Sequence, residues 1–186
     1  MKFLILLAAI LLTPFVHGAT HEIGDTIDSY NNVTVYYNGW DYVKSHGLNF
    51  SKDGYCYGQK WQCVEFVIRY YDQVMHHRFP SNYGHARDFW NLGINQGGLD
   101  STRGLYQYYN DDAEAPQVND ILVFPFSKYG HVCIVTKIEH NQLEVIQQNI
   151  ESKSRDIYDI TYSKGHFHVS NANGMNKPIG WLRKGH

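Results

Sequence analysis

The stretch YGQKWQCVEFVIRYY, residues 57–71, decides how the rest of the chain is interpreted. Gly58 precedes a segment with helical periodicity and Pro80 follows it, so helix-breaking residues lie on both sides of the predicted helix. The pattern predicts a helix over residues 60–76 that carries Cys63 near its beginning. The apolar side chains that recur at helical spacing are those of Cys63, Val67, Tyr70 and Val74.

A cysteine at the beginning of a helix has a distinctive electrostatic environment. The unpaired backbone N–H groups and the positive end of the helix dipole stabilise a thiolate, so we expect a lowered pKa and a nucleophilic Cys63. Its own N–H could also face a developing oxyanion. The alternative is a core cysteine that happens to match the helical spacing, and this feature alone does not decide between them.

After Pro116 the sequence changes to short β-rich runs, the first of which are separated by turn sequences. A short second helix is predicted around Ala86–Leu92, residues 93–119 are interpreted as mostly loop, and residues 20–58 as loops and at most one strand. Helices followed by antiparallel strands argue for an α+β fold. The predicted strands are Asp120–Phe126, His131–Ile138, Leu143–Gln148, Tyr158–Tyr162, His166–Val169 and Ile179–Leu182.

His131 opens one of these strands, directly after the turn Lys128-Tyr129-Gly130, and could serve a cysteine as general base. Taken alone it is one of eleven histidines. The next strand should return beside it as a hairpin, which brings an amide close enough to orient the imidazole. Strand alternation puts Gln147 and Asn149 on one face and Gln148 on the other.

Length and composition limit the remaining possibilities. The 186 residues, at a net charge of −2, indicate one globular domain, and the lack of a basic stripe argues against nucleic acid as a partner. Residues 1–18 are predicted to be a signal peptide, because the apolar run Phe3–Val16 is shorter than the roughly 20 residues that span a bilayer. We therefore expect residues 19–186 to be secreted, or to reside in the secretory or endolysosomal pathway, without stable membrane insertion. Asn32 and Asn49 begin possible glycosylation sequons.

An odd number of cysteines in an exported chain leaves at least one thiol without an intramolecular partner. A disulfide between Cys56 and Cys133 would leave Cys63 free for chemistry. Cys133 shares its strand face with His131, so it is expected to point toward the cysteine helix. A buried, inert cysteine is the alternative explanation of the odd count.

The motif WQCVEF and four later stretches together resemble the CHAP family, the cysteine- and histidine-dependent amidohydrolases and peptidases. The later stretches are APQVNDILVF (115–124), GHVCIVTKI (130–138), the segment QQN (147–149) and IGWLRK (179–184). The resemblance covers roughly residues 55–184 and is nearest to the glutathionylspermidine amidase and D-alanyl-glycyl endopeptidase-like branch. It implies a papain-like α+β fold, in which the cysteine helix packs on an antiparallel sheet, and a CHAP amidase domain over residues 19–186.

The resemblance also implies roles for individual residues. Cys63 matches the nucleophile and His131 the base, while Gln147 stands where the family usually has a glutamate that orients the histidine. Asn149 is the alternative orienter, and Gln62 is a candidate contributor to the oxyanion hole. No cofactor is implied, and no metal site is expected because HExxH and CxxC spacings are absent.

The expected function is hydrolysis of an amide bond through a thioester at Cys63. Peptide cross-links or stems of peptidoglycan are the expected substrate, given the predicted export. A glutathionylspermidine-type amidase is the alternative substrate assignment. A third possibility, from another functional class, is a non-catalytic wall-binding module that has lost its acidic orienter.

Overall fold

The computed structural model describes residues 21–125, 127–171, 174 and 176–185. The predicted signal peptide, residues 1–18, lies outside the described residues. Within them the chain forms one α-helix, one short 3-10 helix and twelve β-strands. These are β1 (Thr26–Tyr30), β2 (Val33–Tyr36), β3 (Leu48–Phe50), β4 (Cys56–Gln59), α1 (Cys63–Gln73), the 3-10 helix (Ala86–Phe89), β5 (Gly98–Asp100), β6 (Leu105–Tyr109), β7 (Ile121–Phe124), β8 (His131–Glu139), β9 (Gln142–Ile146), β10 (Arg155–Ser163), β11 (His166–Ser170) and β12 (Gly180–Arg183).

The largest element is an eight-stranded antiparallel sheet in the order β11-β10-β9-β8-β7-β12-β6-β5. Two separate hairpins, β1–β2 and β3–β4, precede it in the chain. The α+β class is confirmed, although the protein contains more β-structure than a helix packed on a sheet suggests. Strands β7 to β12 overlap the β-rich runs predicted from the sequence.

The two faces of the sheet bury different sets of side chains. Val132 and Ile134 on β8 pack in the cluster that contains α1 residues such as Phe66. Cys133 and Val135 alternate with them and belong to a second apolar cluster. The prediction that Cys133 points toward the cysteine helix is therefore wrong, because α1 packs against the even-numbered positions of β8.

Four predictions about the first 120 residues need correction. The helix begins only at Cys63 and ends at Gln73, since Gln62 is extended at φ −79° and ψ 156°. The second predicted helix is reduced to the single 3-10 turn Ala86–Phe89. Residues 93–119, interpreted as loop, contain β5 and β6, and residues 20–58 contain four strands rather than at most one.

The strands of these regions lie in stretches rich in Asn and Gly, which the sequence pattern marks as turns and loops. Hairpin β1–β2 turns at Asn31 and Asn32, both in the left-handed region at φ 48° and 65°. β6 is stabilised by pairing with β12, a partner distant in sequence. No helix among the described residues is both long and apolar enough to cross a bilayer.

Candidate active site

Cys63 occupies the first position of α1. Gln62 in front of it is extended and makes no side-chain cap, so the first-turn N–H groups remain available around the thiol. Cys63 is only 7% exposed and packs in the same apolar cluster as Phe66 and Val132. The sequence thus positions this thiol at a helix N-terminus, but inside the protein rather than on its surface.

The surroundings of the thiol have opposing effects on its acidity. Burial raises the pKa of Cys63 to about 11, while backbone N–H groups of Val132, Val64 and Cys63 itself act to lower it. Desolvation is the larger effect in this closed arrangement. The expectation that the helix N-terminus lowers this pKa overall is therefore wrong, although the predicted N–H donors are present.

His131 begins β8, and the turn just before it packs closely against the backbone of Arg87. Gly130 has φ 73°, and a Cβ at this position would lie 2.5 Å from the backbone nitrogen of Arg87. The Arg87 N–H donates to the carbonyl of Tyr129 at 2.9 Å. Glycine is required here because backbone from the 3-10 helix passes where a side chain would be.

Gln147 is the residue that orients the imidazole. His131 Nε2 and Gln147 Oε1 are 3.0 Å apart, and the amide Nε2 of Gln147 donates to the carbonyl of Lys153 at 3.4 Å. The second contact makes Oε1 the atom that faces the ring, so His131 Nε2 carries the hydrogen. Nδ1 is left as the unprotonated nitrogen that can accept a proton.

Burial also determines the charge of His131. It lowers the pKa of the imidazole to about 4, and the hydrogen bond to Gln147 acts weakly in the opposite direction. At neutral pH the histidine is therefore a neutral base, and Cys63 is a neutral thiol. The resting site is a thiol–imidazole pair rather than a thiolate–imidazolium pair.

The structure brings Cys63 next to the strand that carries His131. β8 and β9 begin to pair at Ile134 and Ile146, and before this point the N–H of Val132 faces the Cys63 thiol. Among the described side chains, His131 is hydrogen-bonded to Gln147 and not to Cys63. The Cys63 thiol therefore lies against the peptide bond that joins His131 to Val132, and no hydrogen bond joins the two side chains among the described residues.

Asn149, the alternative orienter, and Gln62, the candidate contributor to the oxyanion hole, form hydrogen bonds to other groups. Asn149 Nδ2 donates to the carbonyl of Tyr42 at 3.0 Å and to Gln62 Oε1 at 2.6 Å. Gln62 Nε2 donates to the carbonyls of Tyr42 and Lys44 at 3.1 and 3.2 Å. The oxyanion role expected of the Gln62 side chain is wrong in this arrangement, because its amide fastens the loop around Tyr42. The backbone N–H groups near Cys63 remain as donors.

Gln148 is a structurally important residue that the sequence did not single out. Its Nε2 donates to the carbonyl of Gln62 at 3.0 Å and to Glu65 Oε2 at 2.8 Å, and its Oε1 accepts from the Tyr36 N–H at 2.8 Å. It is 1% exposed. Gln148 therefore ties the end of β9 to the beginning of α1, which fixes the spacing between the base and the nucleophile.

The three cysteines are all free thiols. The predicted disulfide between Cys56 and Cys133 is therefore wrong. Cys133 lies in the apolar cluster on the sheet face away from α1, whereas Cys56 is on β4, which pairs with β3. The odd count of cysteines does not depend on a disulfide, and a buried unreactive thiol accounts for Cys133.

The two asparagines of the glycosylation sequons differ in how accessible their side chains are. Asn32 is exposed in the β1–β2 turn. Asn49 is partly buried, and its Nδ2, the atom that would carry a glycan, donates to Glu65 Oε1 at 2.8 Å. Modification of Asn49 would disrupt this contact with a buried carboxylate, so Asn32 is the better candidate.

The high pKa of Cys63 predicts slow, pH-dependent alkylation. Thiolate is the reactive species, so labelling of Cys63 by iodoacetamide should accelerate about tenfold per pH unit between pH 7 and 10. Peptide mass spectrometry of timed samples measures this rate for Cys63 separately from Cys56. A labelling rate that is already constant at neutral pH would instead indicate a preformed thiolate–imidazolium pair.

A sequence profile of the CHAP domain matches residues 52–149, more than half of the chain and including Cys63, His131 and Gln147. The chain belongs to the CHAP domain family. The resemblance seen in the sequence is therefore confirmed, and with it the reaction class, since this family consists of hydrolytic amidases and peptidases.

Two curated relatives are similar to the CHAP segment. They are the bifunctional glutathionylspermidine synthetase/amidases of Escherichia coli (strain K12) and of Shigella flexneri. Each is 28% identical to this chain over 102 residues, which is 50% of this chain and 16% of the relative. The chain thus corresponds to a small part of these bifunctional proteins.

Proposed function

We propose that this protein is a secreted cysteine amidase or endopeptidase that cleaves amide bonds in peptidoglycan peptides. The observation that carries the proposal is the arrangement of Cys63, His131 and Gln147. A thiol at a helix N-terminus adjoins a histidine whose Nε2 donates to a side-chain amide. Papain-like enzymes use the same order of thiol, imidazole and neutral amide, which also supports a papain-like fold.

The mechanism begins with the neutral pair. As the sulfur of Cys63 attacks the carbonyl carbon, the thiol proton passes to Nδ1 of His131. Backbone N–H groups at the beginning of α1 stabilise the oxyanion. His131 then gives its proton to the leaving nitrogen, the C–N bond breaks, and a thioester remains. His131 accepts a proton from water as the water oxygen attacks the thioester carbonyl. The C–S bond then breaks, the proton passes from His131 to the sulfur, and the acid is released.

The substrate assignment depends on the predicted export. Peptidoglycan is extracellular, so a protein that leaves the cell through a signal peptide at residues 1–18 would meet it. Glutathionylspermidine is the second candidate, because the relatives that match half of this chain are named as synthetase/amidases that act on it. It is a cytosolic metabolite, which a secreted enzyme would rarely encounter.

Digestion of purified peptidoglycan distinguishes these substrates. We expect soluble fragments whose masses, measured by mass spectrometry, identify the amide bond that is cut. Glutathionylspermidine is incubated in parallel, and release of spermidine with no action on peptidoglycan would favour the second candidate. Binding to peptidoglycan without cleavage of any amide by wild type, with activity restored in Gln147→Glu, would favour the wall-binding module that has lost its acidic orienter.

Gln147 should contribute to catalysis by orienting His131. Gln147→Ala removes the acceptor of the Nε2–H, and we expect turnover to fall by about 1–2 kcal/mol of transition-state stabilisation, roughly 5- to 30-fold. Gln147→Glu retains the acceptor and adds a charge that stabilises the imidazolium, so turnover should be preserved or raised. Steady-state rates and thermal melting are measured on both variants.

Asn149→Ala serves as the control for this series. Asn149 contacts Tyr42 and Gln62 rather than the imidazole, so its loss should affect the 41–44 loop more than turnover. If Gln147→Ala were kinetically silent and Asn149→Ala inactive, the assignment of the third residue would have to be reversed.

A further inference from the structure

A second concave site lies beside α1 and is separate from the cysteine site. It has a volume of about 420 Å³, which is within the range of small-molecule pockets. Its lining comes from β2, the β3–β4 hairpin and one face of α1, and includes neither Cys63 nor His131. We call it the Trp61 pocket, defined by its largest lining side chains: Tyr36, Phe50, Lys52, Tyr57, Trp61 and Arg69.

Aromatic rings form one wall of the Trp61 pocket. The rings of Tyr36 and Trp61 are 4.0 Å apart between centroids and tilted by 35°. Phe50, which is 52% exposed, adds a third aromatic ring to the lining. Because the two rings pack on each other, a flat or ring-shaped ligand would contact the side of this aromatic wall that lines the cavity.

A buried guanidinium with unused donors lies against this wall. Arg69 is 5% exposed, and its carbon Cζ is 5.2 Å from the centroid of the Tyr36 ring. Its Nε and Nη2 donate to Glu65 at 2.6 and 3.4 Å. Within the described part of the chain, no acceptor is bound to Nη1. The Nη1 hydrogens are therefore the donors that a ligand in the pocket can reach.

The charge of the lining indicates the sign of the ligand. Glu65 neutralises Arg69 but is itself not part of the lining, and its oxygens already accept from Asn49 and Gln148. Lys52 adds an unbalanced positive charge at the exposed rim, and the lining contains no aspartate or glutamate. The Nη1 donors of Arg69 and the positive charge of Lys52 line the same cavity, which favours an anionic ligand such as a carboxylate.

We propose that the Trp61 pocket binds a small carboxylate whose ring packs against the aromatic wall formed by Trp61 and Tyr36. The carboxylate accepts from Arg69 Nη1, and Lys52 provides long-range attraction. This site is independent of the reaction at Cys63, and the proposal does not depend on which amide bond the enzyme cuts. The carboxylate could belong to an aromatic acid or to a sugar acid, and the probes below distinguish the two.

Matched charged and neutral probes test the ligand class by isothermal titration calorimetry at low salt. Phenylacetate is compared with phenylacetamide, and glucuronate with glucose. We expect at least one acid to bind about tenfold more tightly than its neutral partner, which also shows whether the ring is aromatic or a sugar. Equal affinities within both pairs would overturn the proposal, and so would the absence of binding by both acids at millimolar concentration.

Variants then locate the bound carboxylate. Lys52→Glu should weaken acid binding tenfold or more, whereas Lys164→Glu, a charge reversal at an exposed turn outside the pocket, should leave it unchanged. Lys52 contacts no catalytic residue, so hydrolysis by Lys52→Glu should match wild type. Cys63→Ala should retain the acid affinity. Loss of acid binding in Cys63→Ala, or equal effects of the two lysine reversals, would overturn the assignment to this pocket.

Discussion

Replacing Cys63 by alanine is expected to abolish amide hydrolysis while the protein stays folded. The thioester cannot form without the sulfur, and loss of a nucleophile typically costs on the order of 10⁴-fold or more in turnover. The side chain is buried, but removal of one sulfur atom should reduce the free energy of unfolding by only about 1 kcal/mol. The rate of amine release measures turnover, and thermal melting curves measure the change in stability.

His131→Ala should have a comparable effect on turnover, because the thiol pKa of about 11 leaves almost no thiolate at neutral pH without a base. Cys56→Ala is the matched control, since Cys56 is also a free thiol but lies on β4. It should retain wild-type rates. Substantial hydrolysis by purified Cys63→Ala would end the interpretation of this protein as a cysteine enzyme.

The sequence predicted the elements whose periodicity is strong and local. β7 to β12 are rich in β-branched and aromatic residues and most are separated by turn sequences, and α1 carries apolar side chains at helical spacing. β5 and β6 escaped because residues 93–119 are rich in Gly and Asn, and their strands depend on pairing with each other and with β12. β1 to β4 lie within residues 20–58, where frequent Tyr, Asn, Gly and Ser between short apolar stretches favoured an interpretation as loops.

The candidate site was predictable in its identities but not in its energetics. Motif order pointed to Cys63, His131 and Gln147, which the structure brings into one neighbourhood. The raised thiol pKa could not be foreseen, because it follows from tertiary burial that competes with the helix N-terminus. The contact of Gln148 with Glu65 was missed for a similar reason, since it joins residues far apart in sequence.

Gly130→Ala should be the most damaging single-methyl substitution near the site. The added Cβ would meet backbone atoms that cannot rotate away: the nitrogen of Arg87 at 2.5 Å and the carbonyl oxygen of Phe124 at 2.9 Å. The positive φ of 73° adds about 1 kcal/mol of strain. We expect the free energy of unfolding to fall by about 3 kcal/mol or more. Turnover should fall at least tenfold in the folded fraction, because the turn that positions His131 must shift.

Gly165→Ala separates the clash from the backbone strain. Gly165 has φ 86° in the β10–β11 turn, but no atom lies within 4 Å of the position of a new Cβ. The free energy of unfolding of this variant should therefore fall only by the backbone strain, about 1 kcal/mol, and its activity should be unchanged. Chemical denaturation of the two variants gives the difference, about 2 kcal/mol or more, which is due to contact with the 3-10 helix and β7. Equal destabilisation of the two variants, with Gly130→Ala fully active, would mean that the backbone around Arg87 yields freely and does not position the histidine.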